Sequence, residues 1–343
     1  MTTQPPRSPV SAAASAFVDA HRARALQLGA DIGDLVDDPE AFVRALRGGM
    51  ADLVDETYRR EQSRIAPGLD DSIGIRLPLL TAIRRGFARG SRWARADSLL
   101  WLAERLRREE GLEVRVLAFG ILDRVLPQDP ERAWQILRQA AGEAHEWITV
   151  DTLAHSYGLG ILLEPVRWSE IEQLAYASSP WERRLVGSTI ATIPFVKRGE
   201  GREPEIGRRG LAVIGNLIGD ADPDVQKALA WALRSLARVD RTALVRFADE
   251  QSVLAGETRD GHRAWVIRDA LPALAPGDAS RIRARLAGVR RHPGAPSTSD
   301  AAETARRFRG LVDDTPRARG PRGTASPDIR RPDAHRTTTG VTA

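Results

Sequence analysis

Asp222-Pro223-Asp224-Val225-Gln226-Lys227-Ala228-Leu229-Ala230-Trp231-Ala232-Leu233-Arg234 reads as a break followed by a helix. Asp-Pro stops one element and opens the next. Val225, Ala228, Leu229, Ala232 and Leu233 then recur at three- and four-residue spacing, the mark of a helix with one packed face. Trp231 and Arg234, three apart, share another face with Lys227, one turn earlier. The same pattern of a Pro, Gly or Asp break and then a helix with a cation or aromatic near its start recurs twice. It opens at Glu113 with Glu-Val-Arg-Val-Leu-Ala-Phe and at Pro180 with Pro-Trp-Glu-Arg-Arg-Leu-Val. From Glu113 to Pro180 is 67 residues and from Pro180 to Asp224 is 44. That irregular interval predicts degenerate HEAT-type repetition and not a strict array.

Working outward, helical periodicity covers 41–58, 98–107, 112–126, 133–142, 148–163, 169–178, 181–195, 205–218, 225–239, 241–248, 261–274 and 279–289. Breaks fall at Pro127 with Asp129-Pro130, at Pro165, Ser179-Pro180, Gly219 with Asp222-Pro223, and Pro276-Gly277-Asp278. There is no convincing hairpin. The expected fold is all-α: a HEAT-like α-solenoid of stacked antiparallel helix pairs with a concave face. Residues 1–12 are expected to be disordered, 13–289 to form the repeat domain, and 290–343 to be a disordered basic tail rich in Arg, Pro and Gly, apart from a short turn at 301–311.

The 343 residues contain no Cys, which excludes disulfides, thiolate nucleophiles and zinc fingers. The start is polar and Pro-rich, without a secretory pattern, and no stretch approaches the ~20 apolar residues that cross a bilayer. A cytoplasmic protein is expected. The formal charge of +5 is carried by the tail: 290–343 holds 11 Arg against 6 acidic residues, leaving 40 basic and 40 acidic residues before it. Any nucleic-acid surface on the body must therefore be a local cluster. Lys occurs only at Lys197 and Lys227, so phosphate contacts would fall mainly to Arg.

The chemistry concentrates in His145-Glu-Trp-Ile-Thr-Val-Asp-Thr-Leu-Ala-His155. Trp147 and Asp151 are four apart on one helix, so an indole and a carboxylate project side by side and can hold something cationic. Trp181 with Arg184 and Trp231 with Arg234 repeat an aromatic and a guanidinium on one face. His145, Asp151 and His155 form no convincing metal shell, because no second pair of ligands stands out. Lys227 is read as a phosphate contact and not a Schiff-base nucleophile, which would need desolvation. Gly-rich phosphate loops, nucleophile elbows and kinase motifs are absent.

In order along the chain, Gly74-Ile-Arg-Leu-Pro78, Glu113-Val-Arg115, Trp147-Ile-Thr-Val-Asp151, Trp181-Glu-Arg-Arg184 and Val225-Gln-Lys-Ala-Leu-Ala-Trp-Ala-Leu-Arg234 resemble the AlkD family of HEAT-like DNA alkylation-repair glycosylases. The likeness spans about Asp52 to Leu286. It implies a monomeric enzyme at the nucleoid that excises cationic N3- or N7-alkylated purines from double-stranded DNA, without metal or cofactor and without flipping the base into a pocket. It further implies Asp151 as the catalytic carboxylate, flanked by Trp147 and Trp231, with Arg184 on the DNA backbone near the lesion. Lys227, Arg183, Arg234 and Arg268 are the further cations expected at DNA. This chain has Ile148 where the family often carries a second aromatic, and Tyr58 or Phe42 are the candidate N-terminal aromatic contacts.

The competing assignments are structural. Trp93, Trp101, Trp134, Trp168 and Trp265 are expected in the core. Asp151 has a buried ion pair with a neighbouring Arg as its alternative role, and Arg76 and Arg115 are expected to be structural. The alternative for the whole chain is a non-catalytic HEAT scaffold or DNA-structure binder.

Overall fold

The computed structural model describes residues 9–65 and 71–313, and every regular element among them is helical. The helices are α1 (Pro9–Gly33), α2 (Pro39–Ala51), α3 (Glu56–Ile65), α4 (Leu77–Gly90), α5 (Ala96–Arg107), α6 (Leu112–Val125), α7 (Pro130–Glu143) and α8 (Trp147–Leu163). They continue as α9 (Trp168–Leu174), α10 (Pro180–Val196), α11 (Pro204–Leu217), α12 (Pro223–Leu236), α13 (Arg241–Thr258), α14 (Gly261–Ala270), α15 (Pro276–Arg285) and α16 (Asp300–Asp313). The breaks read from the sequence are helix starts. Asp222 caps α12 by accepting from the amides of Asp224 and Val225 at 2.8 and 3.2 Å, with Pro223 in the first turn. Asp38, Asp129, Asp240 and Asp260 cap α2, α7, α13 and α14 in the same way.

In the body Met1–Arg306, α4, α6, α8, α10, α12 and α14 each pack on the next of that series. Between them, α5 packs on α6 and α7, α7 on α8, α9 on α10, α11 on α12 and α13, and α13 on α14 and α15. Between these runs lies one apolar core, from Val18 to Ala301. The approach of α10 to α12 is close enough to require glycine: a Cβ on Gly187 would stand 2.8 Å from the Ala228 carbonyl carbon.

Several differences from expectation have simple causes. The window 41–58 divides into α2 and α3 around Asp52-Leu53-Val54. Helices α1 and α4 had no counterpart in the periodicity, and α1 already covers residues 9–12. Trp93 and Trp101 are not core residues: they are 51% and 74% exposed. Trp93 lies in the turn before α5, and α5 turns Leu99, Leu102, Ala103 and Leu106 inward so that Trp101 falls on the opposite side. Trp134 and Trp168 are buried, and Trp265 is partly buried beneath the Arg291 guanidinium.

Nor does the packing stop at Val289. Beyond α15 the chain returns as a strap over the starts of α14 and α12. Thr298 donates its amide to the Gly219 carbonyl at 2.9 Å and its hydroxyl to Asp260 at 2.6 Å, and Ser299 and Ala301 are fully buried. Arg291 reaches the Gln226 amide oxygen at 2.7 Å. A Cβ on Gly219 would meet the Thr298 hydroxyl at 2.4 Å. The expected 301–311 turn lies within α16, whereas 314–343 and 1–8 fall outside the described residues.

Candidate active site

Helix α8 starts where Glu146 turns its carboxylate onto the amides of Ile148 and Thr149, at 2.6 and 2.8 Å. Thr149, Val150, Leu153, Ala154, Ser156 and Tyr157 face inward. Trp147, Ile148, Asp151, Thr152 and His155 remain at least partly open, at helical spacing along one stripe. On α12 the open stripe is Pro223, Lys227, Trp231 and Arg234.

Asp151 is directed across to α10. Its Oδ1 accepts from Arg184 Nε at 3.1 Å and from Ser188 Oγ at 2.6 Å, and its Oδ2 accepts from Arg184 Nη2 at 2.8 Å. The third arm of that guanidinium, Nη1, donates to the Asp224 carbonyl at the start of α12, 2.8 Å away. The guanidinium carbon also lies 5.9 Å from the Trp147 ring centroid, within cation–π range. One arginine therefore ties α8, α10 and α12 together around the carboxylate. Arg184 is only 6% exposed.

The other cations are placed differently from one another. Lys227 is the most open, with 61% of its side chain exposed, and pairs with Asp224 at 3.0 Å. Arg234 pairs with Asp269 and donates to that residue's carbonyl at 2.9 Å. Arg183 is bound to Asp220 at 2.7 Å and to the carbonyls of Ala177 and Ser178, both at 2.9 Å. Arg268 donates to the carbonyls of Leu286 and Val289 at 2.6 and 2.5 Å, and burial draws its pKa down. Arg76 pairs with Asp55 at 2.7 Å and lies over Tyr58, and Arg115 pairs with Asp71.

Phe42 is fully buried, edge-on to Phe87 with ring centroids 5.7 Å apart, and so is a core residue. Tyr58 instead lines a cavity of about 370 Å³ that adjoins the α8 stripe through Ile148, Thr152 and His155. The three residues once weighed as metal ligands point to separate partners. Asp151 faces Arg184 and Ser188, His155 faces Asp123 on α6, and His145 Nδ1 lies 3.2 Å from the Glu143 carbonyl. Among the described residues no group of three or more His, Asp or Glu side chains is arranged to hold a metal ion.

Ser188 and the Asp224 carbonyl were missed in the sequence. For Ser188 a signal exists: it follows Arg184 by four, so both side chains leave α10 on one face. No curated protein and no solved structure matches the chain. No described helix is long and apolar enough to cross a membrane. Residues 46–274, which hold the Asp151 cluster and both stripes, match the family model described as DNA alkylation repair enzyme, and the chain belongs to that family.

Proposed function

We propose that the chain is a monofunctional DNA glycosylase that hydrolyses the N-glycosidic bond of cationic N3- or N7-alkylated purines in duplex DNA, leaving the base outside any pocket. The observation that carries this reading is a carboxylate, Asp151, fixed by two arginine donors and a serine hydroxyl on an open helix stripe beside an indole. The run of helices from α4 to α14 is read as a HEAT-like solenoid whose concave face takes the duplex. Lys227 and Arg234 meet phosphates from the α12 stripe. Arg184 orients Asp151, while Arg183 and Arg268, whose donors are spent on Asp220 and main-chain carbonyls, brace the helices behind that face.

The chemistry asks little of the protein. An alkylated purine already carries a positive charge, so it leaves as a neutral base without a general acid. Charge then develops on the sugar as the bond to C1′ breaks. A preorganised carboxylate at that point stabilises the oxocarbenium ion by about 3–4 kcal/mol, by analogy with oxyanion holes. The indoles of Trp147 and Trp231 add about 0.5–2 kcal/mol each through cation–π contact. Asp151 also has an open direction in which to align water.

The test is single-turnover release of 7-methylguanine from a defined duplex in EDTA, wild type against Asp151→Asn. Excision by the wild type and a loss of about a hundredfold or more in the variant, with unchanged melting, is the expected outcome. Equal rates would remove Asp151 from the mechanism. Tight DNA binding with no release of either 7-methylguanine or 3-methyladenine would favour the non-catalytic scaffold.

A further inference from the structure

His155 stands one turn beyond Asp151 on the open stripe of α8, roughly 6 Å away between Cβ atoms as i, i+4 neighbours are. Its side chain is half-exposed, and its Nδ1 lies 3.4 Å from Asp123 Oδ2 on α6. Asp123 is itself fixed, accepting from Ser156 Oγ at 2.5 Å and from Arg84 Nη2 at 3.3 Å. A carboxylate at Nδ1 sets the tautomer that carries its proton there and turns the Nε2 lone pair outward. Nε2 has no hydrogen-bond partner among the described residues. The His155 side chain lines the 370 Å³ cavity together with Ile148 and Thr152 of the same stripe.

The other ionisable groups around this imidazole are committed. Glu113 on α6 accepts from the amides of Ile73, Gly74 and Ile75 at 2.8, 2.8 and 2.9 Å. Tyr58 on α3 is bonded to Gln62, and burial pushes its pKa up. Arg84 on α4 is turned to Asp123, and Arg184 on α10 to Asp151. From α7 the contact on α8 is aromatic, Trp134 against Tyr157 at 4.6 Å between centroids. Asp151 has three of its roughly four lone-pair sites filled, which leaves one direction on Oδ2. That is enough to align a water, and the imidazole one turn along α8 stands as a second acceptor on the same stripe.

We propose that His155 is the proton acceptor for the attacking water and that Asp123 is the residue positioning it, an inference that rests on the glycosylase reading above. As the C1′–N bond breaks, its electron pair passes to the alkylated purine, which departs neutral. The water oxygen bonds to C1′, and the proton it loses moves to His155 Nε2. The imidazolium is stabilised by Asp123 until the proton returns to solvent, leaving an abasic deoxyribose.

The experiment is the pH dependence of single-turnover 7-methylguanine release by the full chain, wild type against His155→Gln and Asp123→Asn. The wild-type rate is expected to rise with pH and then level off, as it does where a base must be unprotonated to act. His155→Gln, a change at a half-exposed site, is expected to abolish the rise and lower the plateau by about a hundredfold. The half-saturating enzyme concentration should stay within about twofold, since no binding contact is removed. Asp123→Asn, which offers Nδ1 a donor where it had an acceptor, should lower the plateau while leaving His155 in place. A His155→Gln variant that keeps both the pH rise and a rate within about threefold of wild type overturns the proposal and leaves the role of Asp151 standing. Failure of the wild type to release any alkylpurine overturns both.

Discussion

An aspartate on a helix surface has several staggered rotamers open to it; Asp151 is held to one by donors that both come from α10. Ser188 is fully buried, so no water can replace its hydroxyl at no cost. Ser188→Ala is expected to lower the single-turnover rate about tenfold, the equivalent of the ~1.5 kcal/mol of a hydrogen bond to a charged group, at unchanged DNA affinity. A variant with weaker binding and an unchanged rate at saturation would contradict that role. That Trp147 and Asp151 share the open stripe of α8 was legible because it is local, a matter of four residues on one helix. The Asp151–Arg184 pair spans 33 residues and two helices, so only its possibility could be read. Trp101 illustrates the opposite error: composition argues for burial, but the apolar stripe of α5 decides, and Trp101 lies off it.

At the scale of elements, the site depends on the distance between α10 and α12. Gly187 sits in that contact between Arg184 and the Ala228 backbone, directly before Ser188. Gly187→Ala would drive α12 outward and draw the Asp224 carbonyl from Arg184. The expected cost is about 1–3 kcal/mol of stability and a loss of excision exceeding that of DNA binding, measured by thermal melting and by single-turnover kinetics. Helix starts at Asp-Pro and Ser-Pro were legible because capping is local chemistry. Helix α4 was not, since Pro78 and two glycines look like breakers. Pro78 occupies the first turn, where a missing N–H costs nothing, and Gly86 and Gly90 admit the backbone of α1. Helix α1 is rich in Ala and lacks a clean apolar stripe, so propensity and not period defines it.

Across the whole molecule, the strap changes where the chain can be cut. Ending it after Asp313 removes six arginines and three aspartates and leaves every described element in place. Melting should be unaffected, while the slope of log affinity against log salt should shrink by about 0.9 for each phosphate contact the segment makes. Ending it after Val289 also removes Arg291 from Gln226 and Thr298 from Gly219 and Asp260, three buried or tightly packed partners. That variant should melt at least about 5 °C lower. Equal melting of the two would mean that the strap contributes nothing. The sequence showed a polar, Pro- and Gly-rich stretch and could not show this docking, because its hydrogen bonds reach residues up to 79 positions earlier.

The strap also sets an order in time. Synthesis at 5–20 residues per second separates Trp231 from Ser299 by roughly 3–14 s, during which α12 has emerged but the contacts that pin its first turn have not. The carbonyl that steadies Arg184 belongs to that turn. On the ribosome, then, the first turn of α12 gains its last contacts only after the backbone that follows it has been made.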